Sequence, residues 1–169
     1  MNGLRIRHQQ VSDAKRFYEI LNHPDFIYFP AKPKSIEQER QFLRTNKKMR
    51  QDNVCHNYSV LLHDEVVGTI GIKISPHYPK SCEVGYFVDR AFWGKGIASA
   101  ALKLVEEVCF NELRMHRIEL FTLKQNKASI RVAEKCAYRK EGIQRHKVKH
   151  QGKWADVYMY SKIEDDHKQ

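Results

Sequence analysis

Two glycines one residue apart, Gly94 and Gly96, mark the stretch of this sequence best suited to hold a charged group. An apolar segment from Val84 to Val88 precedes them, and an amphipathic segment that begins at Ile97 follows. A strand that enters a helix through small residues points several backbone N–H groups at one place, where the positive end of the helix dipole adds to them. This arrangement suits a phosphate. A turn in which the glycines only supply positive φ, with nothing bound, would have the same pattern.

The composition indicates neither a metal-binding protein nor a membrane protein. The four cysteines form no C-x-x-C pair, and no histidine stands at zinc-finger spacing from them. The sequence therefore predicts no metal site and no disulfide framework. No apolar run reaches the ~18–20 residues needed to cross a bilayer, and the N-terminus lacks the apolar core of a signal peptide. We expect a cytoplasmic protein that does not associate with membranes.

The chain carries a net charge of +10, with 30 Lys and Arg against 20 Asp and Glu. The basic residues concentrate in segments 40–50 and 139–153. A basic surface attracts polyanions such as nucleic acid, the ribosome or a phosphate-bearing cofactor. Segment 40–50 is typical of a solvated helix face. Tyr138 and Trp154 flank the bases of segment 139–153, and this mixture of bases and aromatic residues fits either an RNA-binding surface or a solvated, twisted hairpin.

The hydrophobic pattern predicts one α/β domain over residues 1–169, with a mixed sheet of about seven strands, mostly antiparallel, and about four flanking helices. Segment 24–53 is the predicted substrate-facing lid, because loops and loosely packed helices usually shape specificity. Residues 165–169 are expected to fray. The predicted strands are 4–7, 58–62, 66–72, 82–88, 117–122, 144–150 and 155–161, and the predicted helices are 14–21, 36–49, 97–113 and 126–136.

Several motifs, taken in their order along the chain, resemble those of the GNAT family of N-acetyltransferases. The resemblance covers residues 4–163. The acetyl-CoA loop of the family reads Q/R-x-x-G-x-G/A, and the loop here keeps its glycines but lacks the first Gln or Arg. The tetrapeptide Trp93-Gly94-Lys95-Gly96 resembles the RimJ/RimL-like branch, which holds the ribosomal-protein N-terminal acetyltransferases. Segments 83–86, 126–132 and 152–157 also fit that branch. The resemblance implies a single-domain GNAT fold with acetyl-CoA as cosubstrate and no metal.

The resemblance also assigns the cofactor contacts. The pyrophosphate of CoA would lie on the N–H groups of residues 94–99, and the pantetheine arm would pair like an additional strand with residues 86–88. The Asn126 side chain would bond the pantetheine and the Ser129 hydroxyl would lie near the sulfur, although both residue types also serve as plain helix caps. The predicted cofactor-binding residues are Phe87, Val88, Trp93, Gly94, Lys95, Gly96, Ile97, Ala98, Ser99, Asn126 and Ser129.

Acetyl transfer to an amine requires loss of a proton from the amine, a donor for the oxyanion and, in some enzymes, a proton for the thiolate. By resemblance the backbone N–H of Val88 is the oxyanion donor. Glu83 is the candidate base, acting through water, although an exposed strand glutamate or an anchor for the amine would look the same. The Tyr that many family members use as general acid, seven residues after Asn126, is replaced by Ala133. Ser129 or water must then serve, or the thiolate leaves unaided, since a thiol with a pKa of ~8.5 is a fair leaving group.

The acceptor is predicted to be a protein N-terminal amine of the ribosomal-protein type, because a basic surface suits docking on the ribosome and repels a cationic polyamine. A small-molecule amine (an antibiotic, an amino acid or a polyamine) is the second possibility and would favour a deep acidic pocket. No acidic cluster stands out in segment 24–53, where Asp25, Glu37, Glu39 and Asp52 are outnumbered by bases. A non-catalytic basic module that binds RNA or the ribosome is the alternative of another class. The sequence leaves open whether the protein is a monomer or a homodimer.

Overall fold

A computed structural model describes residues 2–29 and 32–167. Its centre is a seven-stranded sheet with the order β1-β2-β3-β4-β5-β7-β6. Every neighbouring pair is antiparallel except β4 and β5, which are parallel. The strands are β1 (Leu4–His8), β2 (Cys55–Leu62), β3 (Glu65–Ile74), β4 (Ser81–Val88), β5 (Arg117–Leu123), β6 (Arg139–His150) and β7 (Lys153–Ile163), and the helices are α1 (Ala14–Leu21), α2 (Ile36–Gln51), α3 (Ile97–Glu107), α4 (Lys127–Lys135) and α5 (Glu164–His167).

Local sequence explains most of these elements. His63 and Asp64 both adopt positive φ, +48° and +67°, and form the two-residue turn that joins β2 to β3, as the right-handed twist of a hairpin requires. The Ser35 side chain accepts a hydrogen bond from the Gln38 N–H at 3.1 Å and so begins α2, as its position predicts. Strand β6 begins at Arg139, five residues before its predicted start. Its first residues are polar and exposed, so they carry no alternation that would mark a strand.

The two faces of the sheet carry separate apolar clusters. On one face α3 and α4 pack against the central strands, where Ile70, Ile118 and Leu102 are fully buried. On the other face α1 and α2 pack around Phe17 and Phe87. Burial of each such side chain stabilises the fold by about 1.5–3 kcal/mol. Consecutive residues of one strand therefore face different helices, and β4 presents side chains to both layers.

The parallel strands β4 and β5 pair at three positions only, from Ser81↔Arg117 to Glu83↔Glu119, and then separate. The Asp89 N–H donates to the Val67 carbonyl at 2.8 Å. Successive residues of an antiparallel strand bond in opposite directions, so the N–H and carbonyl of the preceding residue, Val88, point toward β5. The end of β4 thus offers backbone groups to a gap in the sheet.

Two helical segments differ from what the sequence predicts. Helix α3 ends at Glu107, and a π-helical turn over residues 108–112 extends it to about the predicted end. Helix α5 occupies part of the segment expected to fray, and the His167 ring stacks on Phe110 with centroids 4.7 Å apart. Residues 168 and 169 lie outside the described residues. Within the described ranges, no helix combines the length and the apolarity that a membrane span requires.

Candidate functional site

One cavity lies where β4 meets α3, and we call it the junction cavity. Its volume is about 450 Å³, and its walls come from the loop before α2, from segment 86–99 and from one side of α4. All of the predicted cofactor-binding residues line it except Lys95, whose Nζ lies 5.1 Å from the Phe92 ring centroid. The structure therefore brings together residues that are spread over more than 40 positions of the sequence.

The two glycines give this cavity the geometry expected of an anion site. Gly94 and Gly96 have φ of +76° and +77°, which costs other L-residues roughly 1–2 kcal/mol. Gly96 is the N-cap of α3, so the first N–H groups of that helix lack intrahelical acceptors. A Cβ atom on Gly94 would meet no other atom within 4 Å, which shows open space beside the loop. These features fit a phosphate group of CoA.

Three contacts hold the glycine loop against the sheet. Arg16 forms an ion pair with Asp89 and donates from Nε to the Val66 carbonyl at 3.0 Å. The Trp93 indole N–H donates to the Val88 carbonyl at 2.7 Å. The loop and the end of β4 are therefore one fixed unit.

An aromatic loop over residues 26–29 forms a wall of the junction cavity. The rings of Phe26 and Phe29 contact the Phe87 ring with centroids 5.7 and 5.1 Å apart, and Phe26 also contacts Trp93 at 5.9 Å. An Arg90–Asp25 ion pair ties the start of the loop to the junction. This part of the predicted lid is thus packed against β4. Residues 30 and 31, also in that predicted segment, lie outside the described residues.

Tyr86 is a candidate functional residue that the sequence did not single out for its side chain. Its hydroxyl lies 2.9 Å from the Ser129 hydroxyl, and the tyrosine lines the junction cavity. Burial raises the pKa of Tyr86 to about 12, so the phenol stays protonated near neutral pH. Ala133, the position where the resemblance leads us to expect a tyrosine, is buried against the core. The phenol that lies beside Ser129 comes from β4 and not from α4.

Asn126 caps α4. Its side-chain oxygen accepts a hydrogen bond from the Ser129 N–H at 3.1 Å, which is the capping alternative considered from the sequence. This bond uses the amide oxygen and not the amide NH₂ group. Because Asn126 also lines the junction cavity, capping and contact with a ligand are compatible at this residue.

The second cavity lies between the sheet and helices α1 and α2, and we call it the helix-side cavity. It has a volume of about 630 Å³ and shares three lining residues with the junction cavity: Phe29, Tyr86 and Phe87. The candidate base Glu83 is exposed and lines the helix-side cavity with Gly85. Glu83 is therefore placed with the second cavity and not among the residues around the glycine loop.

Neutral amides and four charged residues line the helix-side cavity. Asn46 donates to the Gln9 side-chain oxygen at 2.6 Å, and Asn57 donates to Asn46 at 3.1 Å, which fixes the orientation of these amides. The charged lining residues are Lys32, Lys73, Glu39 and Glu83. Within residues 2–29 and 32–167, no group of His, Cys, Asp and Glu is arranged to hold a metal ion.

The family model described as an acetyltransferase (GNAT) domain matches residues 3–139. The chain belongs to the GNAT family. It is an acyltransferase, and the acetyl donor is acetyl-CoA.

This GNAT enzyme is similar to the probable N-acetyltransferase YjcK of Bacillus subtilis (strain 168), with 33% identity over 134 residues, 78% of this chain and 74% of YjcK. It is 27% identical to the L-amino acid N-acetyltransferase AaaT of Escherichia coli (strain K12) over 96% of this chain and 99% of that protein. The ribosomal-protein-S5-alanine acetyltransferase structure from Vibrio fischeri superposes with a TM-score of 0.88 at 23% identity, over 98% of this chain and 96% of that one. These comparisons confirm the predicted fold and enzyme class, whereas the roles of individual residues stay predictions.

Proposed function

We propose that this GNAT enzyme acetylates the N-terminal α-amine of a polypeptide, which enters through the helix-side cavity. The observation that carries the proposal is that Tyr86 and Phe87 line both cavities. An amine in the helix-side cavity would then reach a thioester in the junction cavity past these residues. Both reactants would then meet beside the backbone of Val88.

The residues of the junction cavity fit acetyl-CoA, which supplies the acetyl group as a thioester. The N–H groups of residues 94–99 would hold its pyrophosphate, because Gly94 and Gly96 adopt the positive φ that turns the loop into α3. Val88 directs its N–H into the gap beside β5, where the acyl end of an extended arm that pairs with residues 86–88 would lie; the Val88 carbonyl already accepts the Trp93 indole N–H. The amide NH₂ of Asn126 remains for a further contact.

Three groups would serve the chemistry. The Val88 N–H is the proposed donor to the oxygen that gains charge during transfer. Glu83 would take the proton of the amine through water, from the face of β4 that borders the helix-side cavity. The hydrogen-bonded hydroxyls of Tyr86 and Ser129 would donate toward the departing sulfur.

The lining of the helix-side cavity favours an α-amine over a polyamine. Two carboxylates are balanced by two lysines, so the lining carries no net negative charge to attract several cations. The oriented amides of Gln9 and Asn57 suit the peptide groups that follow an N-terminal amine. The volume of about 630 Å³ lies within the range for a ligand of a few residues.

A free amino acid is the second candidate acceptor. Lys32 and Lys73 line the same cavity as Glu39 and Glu83, and a zwitterion can pair with both signs of charge. The similarity to AaaT, whose name gives L-amino acids as acceptors, supports this candidate.

A ribosomal acceptor is supported by the basic hairpin of β6 and β7. Trp154 is 58% exposed there, and the Lys149 ammonium lies 5.3 Å from the centroid of its ring. An exposed aromatic residue among bases suits rRNA or an acidic ribosomal protein.

Two experiments test the proposal. Acetyl-CoA at about 100 times its Kd should stabilise the fold by roughly 2.7 kcal/mol, which thermal unfolding detects. Gly96→Glu should lose this rise, and Gly152→Glu, with a similar φ of +79° in the turn between β6 and β7, should keep it. CoA release is then measured with short peptides that have free or blocked N-termini, with amino acids and with spermidine. Turnover of spermidine or amino acids but not of free peptide N-termini would refute the proposed acceptor.

A further inference from the structure

Glu39 lies on the buried face of α2 and differs sharply from its neighbour Glu37. Glu37 is half exposed and pairs with Arg40 at 3.3 Å and Arg44 at 3.0 Å. Glu39 is only 8% exposed and shares its face with Leu43 and Asn46. The same helix thus carries one solvated, paired carboxylate and one buried carboxylate.

The carboxylate of Glu39, a residue that is 8% exposed, has no ion pair or side-chain hydrogen bond within the described part of the chain. It lines the helix-side cavity, as do Lys32 and Lys73, and neither lysine forms an ion pair with it. The titratable side chains that share this cavity also include Glu83 and Cys55. What remains exposed of Glu39 therefore opens toward the cavity.

A buried carboxylate without a partner is costly, because removal of a charge from water costs several kcal/mol unless a counter-charge or donors replace the water. Burial accordingly raises the pKa of Glu39. Its place in the first turn of α2 offsets part of this cost through the helix dipole. A cation bound in the cavity would offset the rest of this free-energy cost. The carboxylate would then serve binding, since packing of the core does not need a charge at this position.

We propose that Glu39 binds the ammonium group of the incoming acceptor and so determines which amines the helix-side cavity admits. This inference rests on the proposed function, since it takes the helix-side cavity as the acceptor site. Glu39 is a specificity-determining residue in this scheme, distinct from Glu83, which stands on β4. The acceptor would be drawn from solvent as a cation and lose its proton nearer Tyr86.

A binding experiment without turnover tests the inference. The CoA-saturated enzyme is titrated with n-butylammonium and with the neutral n-butanol, and binding is followed by the carboxyl carbon signals of labelled glutamates. A hydrogen bond to a charged group predicts at least about 10-fold weaker binding of n-butylammonium to Glu39→Gln than to wild type. Binding of n-butanol should not change. Glu37→Gln, two residues away on the same helix, should match wild type.

Stability and kinetics complete the test. Glu39→Gln removes a buried unpaired charge, so we expect its thermal midpoint to equal or exceed that of wild type. With an amine that the enzyme acetylates, the KM of Glu39→Gln should rise about 10-fold while its kcat changes less than threefold. Glu39→Asp should recover part of the loss. Equal binding of n-butylammonium to Glu39→Gln and wild type would overturn the inference.

The same variants separate this inference from the proposed acceptor. If wild type acetylates peptide N-termini and Glu39→Gln keeps the same KM, the acceptor proposal stands and the role of Glu39 is refuted. If n-butylammonium binding depends on Glu39 but no peptide is acetylated, the role of Glu39 stands and the acceptor proposal fails.

Discussion

Gly68 of β3 lies directly opposite Val88, and replacement by alanine tests how tightly the backbone at the site is set. A Cβ atom on Gly68 would lie 2.3 Å from the Phe87 carbonyl oxygen and 3.0 Å from the Val88 Cα. Carbon and oxygen atoms in contact stay about 3.3 Å apart, so β3 and β4 must separate by roughly 1 Å. Overpacking of this kind costs about 1–3 kcal/mol.

The displaced atoms belong to the strand end at which transfer is proposed. A displacement of about 1 Å in reacting groups can lower a rate about 100-fold, so we expect kcat of Gly68→Ala to fall roughly 10- to 100-fold. For a chain of this length each kcal/mol lowers the thermal midpoint by about 2–4 °C. The variant should therefore unfold roughly 2–12 °C below wild type.

Urea unfolding and CoA release, assayed well below both midpoints, measure the two effects separately. Gly142→Ala is the matched control, because a Cβ atom there meets nothing within 4 Å and its φ is not positive. It should stay within about 0.5 kcal/mol of wild type. A Gly68→Ala enzyme with unchanged stability and unchanged kcat would show that β3 does not set the position of Val88.

Further substitutions test three more contacts. Tyr86→Phe and Ser129→Ala should each lower kcat/KM about fivefold, and the double variant should lose less than their product, because one hydrogen bond joins them; fully multiplicative losses would argue against a shared role. Asn126→Ala should cost about 1 kcal/mol of stability through loss of the cap, whereas Asn126→Asp should keep stability and weaken acetyl-CoA binding; equal binding by Asn126→Asp would exclude contact through the NH₂ group. Hydrogen bonds from Arg117 and Ser161 lower the pKa of Glu141 to about 2, so its stabilisation is full above the unfolded pKa near 4.5 and is lost as pH falls through 2. Urea midpoints of wild type and Glu141→Gln should therefore converge between pH 4.5 and 2, and a gap that persists at pH 2 would contradict this assignment.

The sequence was most informative where local chemistry determines structure. Gly94 and Gly96 marked the turn into α3, because positive φ leaves few other residue choices. The Asn126 and Ser35 helix starts followed from capping preferences in the same way. The parallel placement of β5 beside β4 followed from the helix between them.

Contacts between elements that are far apart in the chain could not be predicted from the sequence alone. Tyr86 and Ser129 are 43 positions apart, and only the packing of α4 against the sheet brings their hydroxyls together. Glu39 stood among bases in the sequence and formed no visible acidic cluster. Its burial depends on which face of α2 packs inward, and that face also carries Leu43 and Asn46. Because α2 has few apolar residues, the sequence pattern does not identify this face.

The hydrogen bond from the Trp93 indole to the Val88 carbonyl links the two ends of the proposed acetyl-CoA site. A residue of the loop proposed to hold the pyrophosphate also restrains the backbone proposed to meet the thioester. Binding energy from the nucleotide end can then be converted into alignment at the acyl end. Short donors such as acetylpantetheine, which lack the pyrophosphate, should therefore be processed more slowly even at saturation, and Trp93→Phe should make acetyl-CoA behave more like such a donor.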